Sequence, residues 1–221
     1  MTNKSVNVKK MTVVAVLCAI SYLISCILPF KVSFLTFDLK DAIIAISALM
    51  YGPLAGLICS VIVPLIELIT TSSTGVYGLI MNFLSSAAFS VTAGLVYKYK
   101  RSFSGAILAM CMSVLAVTSI MLLANLFVTP YYMGVPRGTV IGLIPSLLLP
   151  FNAIKSIINA ALTLLIYKPI TAAFGRLGLS KRRAYAEGSG LRSILLTVGC
   201  IIVAAAATAV FVIFLGGTVK F

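Results

Sequence analysis

Residues 147–168, LLLPFNAIKSIINAALTLLIYK, are apolar over a length that can cross a bilayer, yet they carry Asn152, Lys155 and Asn159 at steps of three and four. In a helix those positions share one face. A lysine held in hydrocarbon costs about 2.5–3.5 kcal/mol on insertion scales, so it faces protein or a water-filled cavity. The stripe therefore asks for a helical bundle with a polar site inside it.

The remaining sequence agrees. Of the 221 residues, 61% are hydrophobic and 10% are charged, and the mean hydropathy is +1.17. Soluble domains carry roughly 25% charged residues. A bilayer admits helices or closed barrels. Barrel strands alternate apolar and polar residues, whereas these runs are continuously apolar. The reading is an all-α integral membrane protein. Its net charge of +13 gathers at the ends of apolar runs, where it marks topology and meets anionic lipid. No nucleic-acid motif accompanies it, so the expected partner is the lipid membrane and not nucleic acid.

Several chemistries lack their residues. The chain has no histidine, and its five cysteines form no CxxC. Common zinc patterns and the Ser-His and Cys-His arrangements are therefore absent. Neither GxxxxGK[ST] nor GxGxxG occurs, so no loop is built to cradle phosphate. No metal, no cofactor and no catalysis is expected.

Taken in order, residues 1–10 are a polar cytoplasmic N-terminus, and residues 11–28 form helix 1, which places Ala15 and Ala19 four apart. Small residues at that spacing allow close approach of another helix. Residues 30–37 read as an outer loop. A short second helix follows Asp38 and Asp41, which suit either a helix start or the rim of a pocket. Helix 3 covers residues 53–70, with Pro64 inside it. Its Glu67 is either interfacial or a partner for Lys155. Helices 4 and 5 cover residues 76–97 and 103–128, with Asn82 and Asn125 near their outer ends. Residues 129–139 read as a loop whose Tyr131 and Tyr132 suit an interfacial belt. Helix 6 covers residues 140–168, irregular at Pro145 and Pro150. Residues 171–190 are a basic cytoplasmic linker, and residues 191–215 form a seventh apolar span.

On this topology Lys4, Lys9, Lys10 and the clusters at residues 98–101 and 176–183 lie inside, and Lys31, Lys40 and Arg137 lie outside. Asp38, Glu67, Asn82, Asn125 and Asn152 then all fall toward the outer half, as a site open to the outside requires. A stand-alone carrier of a polar solute remains open, as does a membrane enzyme acting on lipid head groups through Asp38 and Asp41.

Particular stretches go further. FLTFDLKD at residues 34–41, YGPLAG at 51–56, GLIMNF at 78–83, Asn125 with Pro130, LPFNAIK at 149–155 and the Ala15-xxx-Ala19 spacing resemble the S-components of energy-coupling factor (ECF) vitamin transporters, most closely the riboflavin-type branch. The resemblance covers about residues 8–170. It implies a six-helix S-component bundle over residues 11–170 that captures a vitamin, riboflavin or a related flavin, from outside. It also implies a multi-pass protein of the cell membrane, working with a transmembrane T-component and two ATPase subunits. By resemblance, Leu35, Asp38, Asp41, Asn82, Asn125, Asn152 and Lys155 are ligand-binding candidates, and Ala15 and Ala19 would meet the T-component. The riboflavin-type pattern of an acid, then Lys and Asn, along helix 3 is replaced here by Ser60, Val63 and Pro64, and Leu126 stands where a Tyr is usual. These departures leave pyridoxine-like or pyrimidine-type ligands open.

Overall fold

In lipid every backbone amide must find its partner within the protein, and long apolar runs meet that demand as helices. A computed structural model of the chain describes residues 2–27, 30–32, 34–179 and 199. Its elements are α1 (Thr2–Ile27), β1 (Phe30–Val32), β2 (Leu35–Phe37), α2 (Lys40–Tyr51), α3 (Pro53–Thr70), α4 (Gly75–Tyr99), α5 (Phe103–Met133), α6 (Arg137–Leu143), a π-helical turn (Ile144–Leu148) and α7 (Leu149–Arg176). Among the described residues, five segments are long and apolar enough to span a membrane: Val8–Ile27 of α1, then α3, α4 and α5, and the continuous stretch Arg137–Arg176. Of the expected seventh helix at residues 191–215, all but residue 199 lies outside the described residues.

The sixth helix of the bundle is α2, too short to count as a span on its own. Every residue from Lys40 to Met50 is buried, because α1, α3, α4 and α7 all pack on it. An apolar helix with no lipid face belongs at the centre of a bundle. Its flanking Leu39 offers no capping side chain. Instead Asn159 of α7 accepts from the Ala42 N–H at 2.9 Å and donates to the Asp38 carbonyl at 3.1 Å. The lowest member of the polar stripe thus caps a helix far away in sequence.

Three expectations need correction. Residues 30–37 are not an irregular loop: β1 and β2 pair antiparallel, with Phe30 opposite Phe37 and Val32 opposite Leu35. Residues 2–10 extend α1 rather than preceding it. Most of the predicted loop at 129–139 is helical, since α5 continues to Met133 with Pro130 inside it. It stops at Gly134, whose φ of 66° suits a residue without Cβ, and whose N–H returns to the Pro130 carbonyl. The irregularity expected in the last helix is the π turn, which carries Pro145 in its first turn, and Pro150 then opens α7.

Small residues set the closest approaches. A Cβ on Gly94 of α4 would stand 2.8 Å from the Pro53 backbone at the start of α3, and one on Gly56 would stand 2.7 Å from the Ala48 Cβ. The seam carries a buried contact of 3.0 Å between the Ser60 and Ser90 hydroxyls. Gly142 in α6 has open space around it. Gly94→Ala is expected to destabilise the protein by about 1–3 kcal/mol through overpacking, whereas Gly142→Ala leaves thermal unfolding in detergent essentially unchanged. Equal midpoints for the two variants would contradict this seam.

Candidate functional site

At the hairpin end of the bundle the elements leave a cleft of about 680 Å3 of atom-free space, part of it open. Leu35 and Thr36 of β2 form one side. Tyr77, Asn82 and Ser85 of α4, Asn125, Thr129 and Tyr132 of α5, and Phe151, Asn152 and Lys155 of α7 form the others. The mix of apolar wall and a few convergent polar groups is that of a small-molecule site.

The neighbours of each polar group decide what it can offer. Carbonyl and carboxylate oxygens only accept. Asn152 donates Nδ2 to the Leu148 carbonyl at 2.7 Å, so its Oδ1 is left as an acceptor. Asn82 donates Nδ2 to Glu67 Oε2 at 3.1 Å, which likewise leaves Oδ1 free. Asn125 donates to the Met121 carbonyl at 2.7 Å and accepts from Thr129 at 2.8 Å, keeping its second N–H. Lys155 donates to Asp38 Oδ2 at 2.9 Å and to the Thr36 carbonyl at 3.3 Å, with its third proton available. The cleft therefore presents both donors and acceptors on rigid elements.

Behind it lies a charge cluster. Asp38 Oδ2 is 2.9 Å from Lys155 and 3.7 Å from Lys40, and Lys40 is 2.6 Å from Glu67. Asp41 accepts from Ser85 at 3.3 Å and from Ser86 at 2.5 Å. Three of the chain's four acids, with these lysines, are buried in one region. Burial alone would raise the Asp38 carboxyl above its ordinary range; Lys155 and Lys40 outweigh that and hold it below. Among the described residues Asp38 Oδ1 has no hydrogen-bond partner.

Of the residues singled out by sequence, Leu35, Asn82, Asn125, Asn152 and Lys155 line the cleft together. Asp38 and Asp41 do not: they sit beneath it, 2% and 3% exposed. Glu67 is buried, and the cation it meets is Lys40 rather than Lys155. Lys40 is the residue sequence reasoning missed. It read as an outside topology marker, although it lies between two acids at the start of an apolar helix. Tyr132 faces the cleft and meets Tyr77 edge-on at 6.0 Å, whereas Tyr131 is 69% exposed. Ala15 and Ala19 are exposed along α1, away from the buried face of Val14, Leu17 and Cys18.

Comparison with known proteins gives the family. The family model described as ECF transporter, substrate-specific component, matches residues 9–167. The riboflavin transporter RibU of Staphylococcus aureus (strain TCH60) is 28% identical over 169 residues, covering 72% of this chain and 89% of RibU. The riboflavin transporter FmnP of Bacillus subtilis (strain 168) is 27% identical over 173 residues, covering 73% of this chain and 91% of FmnP. A solved structure of the S component of a bacterial ECF transporter superposes with a TM-score of 0.65 at 27% identity, covering 77% of this chain and 99% of that one. With a family model spanning most of its six-helix bundle, the chain belongs to the substrate-specific components of ECF transporters, as a multi-pass membrane subunit that binds the substrate to be imported.

Proposed function

We propose that the cleft binds riboflavin or a closely related flavin, taken up from outside the cell. The observation that carries this reading is the hydrogen-bonding set of Asn82, Asn125, Asn152 and Lys155 around one apolar cleft. The pyrimidine edge of an isoalloxazine offers carbonyl acceptors around a ring N–H, and this set supplies the complementary Lys155 and Asn125 donors and Asn acceptors. Tyr132, Tyr77 and Phe151 provide flat apolar surface for the ring system. The similarity to RibU and FmnP supports the same ligand.

In this reading Asp38 acts through Lys155, and Asp41 supports the α2–α4 junction through Ser85 and Ser86. The hairpin end faces outward and the N-terminus lies in the cytoplasm. Lys98, Lys100 and Arg101 stand at the opposite end of α4, as the excess of basic residues on the cytoplasmic side requires. Ala15 and Ala19, exposed along α1, form the contact with a T-component that carries two ATPase subunits. The subunit itself catalyses nothing in this scheme: it captures the ligand, and its partners supply the energy.

Titration of the purified protein in detergent with riboflavin is expected to quench flavin fluorescence, with a dissociation constant in the nanomolar range. Absence of quenching by a folded sample would refute the flavin reading. Lys155→Ala is expected to weaken binding about tenfold or more, in keeping with loss of a charge-assisted hydrogen bond. Unchanged affinity in a folded variant would remove Lys155 from the site. Ala15→Leu combined with Ala19→Leu is expected to abolish copurification of the partner subunits while leaving riboflavin affinity intact. Retained copurification would place the contact elsewhere.

A further inference from the structure

Lys40 has no part in the ligand reading above, and as a topology marker it is misplaced. It is 1% exposed and lines no part of the cleft. Its ammonium lies 2.6 Å from Glu67 Oε2, against 3.7 Å from Asp38. The same Glu67 oxygen receives the Asn82 amide at 3.1 Å. Glu67 is also buried behind the wall, whereas Asn82 stands in it. A chain of contacts thus runs from a hidden cation, through a carboxylate, to a group that meets the ligand.

The chemistry of that chain has a direction. An ionised carboxylate accepts hydrogen bonds and donates none. Asn82 must therefore turn its NH2 toward Glu67 and its Oδ1 toward the cleft. A neutral carboxylic acid carries a proton and can donate to Oδ1, in which case the amide turns over and offers N–H to the cleft. A buried carboxylate without a cation in contact is neutralised by taking up a proton rather than enduring the desolvation. We propose that Lys40 is a positioning residue that sets the hydrogen-bonding sense of the cleft: by keeping Glu67 an acceptor only, it holds Asn82 as an acceptor for an N–H or O–H of the substrate. The side chain responsible for this specificity never touches the substrate.

One test needs no ligand. In infrared spectra of the purified full chain, Lys40→Met is expected to gain the carbonyl band of a protonated carboxylic acid, and the gain is expected to vanish when Glu67→Gln is added. No gain in a folded Lys40→Met sample would overturn the proposal. A second test rests on the flavin reading and uses riboflavin as the probe. Lys40→Met is expected to weaken riboflavin binding about tenfold, but by under about twofold when Asn82 is already Ala, because the two positions act in series. Lys40→Arg, which keeps the charge, is expected to restore affinity. An equal loss in both backgrounds would show that Lys40 acts only on general structure and would refute the proposal. If the methionine variant does not fold, Lys40→Gln removes the charge while keeping a donor and takes its place in both tests. A wild-type protein that ignores riboflavin yet behaves as expected in the infrared would sink the flavin reading alone.

Discussion

A charge inside a membrane bundle is tolerable only in contact with its opposite, and that constraint orders the centre of this protein. Asp38, Lys40, Glu67 and Lys155 form an unbroken series of contacts across α2, α3 and α7. Removing one member of such a buried set leaves the others uncompensated, at a cost of about 3–5 kcal/mol in comparable cases. Replacing the whole set by apolar residues is often tolerated. A purely structural role therefore gives little reason for the cluster to lie against the cleft. What it offers is orientation: Lys155 of α7 and Asn82 of α4, both lining the cleft, are both held by it.

The position of α2 follows from the same constraint. Twelve residues cannot reach across a bilayer, but a helix surrounded by protein need not. Its N-terminus brings Asp38, Lys40 and Asp41 to the bundle axis, and Asn159 of α7 supplies the cap that Leu39 cannot. The stripe on α7 accordingly does two jobs. Asn152 and Lys155 reach the cleft, and Asn159, one turn further, docks the central helix.

Much of this was legible in sequence. The helical membrane class, the family and the convergence of Asn82, Asn125, Asn152 and Lys155 at one end all follow from apolar runs, punctuation and a few motifs. The misreadings share a physical cause. Lys40 reads as an outside topology marker because lysines at the ends of apolar runs usually mark topology, and only three-dimensional packing reveals that it is buried against Glu67. Asp38 and Asp41 suit either a helix start or a pocket rim in sequence, and are ligand candidates by resemblance alone; in the fold they lie buried beneath the cleft, against Lys155 of α7 and Ser85 and Ser86 of α4. The hairpin was missed because two strands of three residues are too short for alternation to register. Residues 129–139 read as a loop in sequence, yet the demand for internal hydrogen bonds carries α5 past Pro130 to Met133.

That hairpin also makes a demand on its surroundings. Among the described residues no third strand joins the ribbon, so its outer backbone groups turn to side chains, headgroups or water for partners. Hydrocarbon cannot satisfy such groups, whereas the headgroup layer and water can. Within the protein one such partner is Lys155, which donates to the Thr36 carbonyl of β2. The strand that carries Leu35 and Thr36 of the cleft is therefore fastened to α7 by the same ammonium that serves the site.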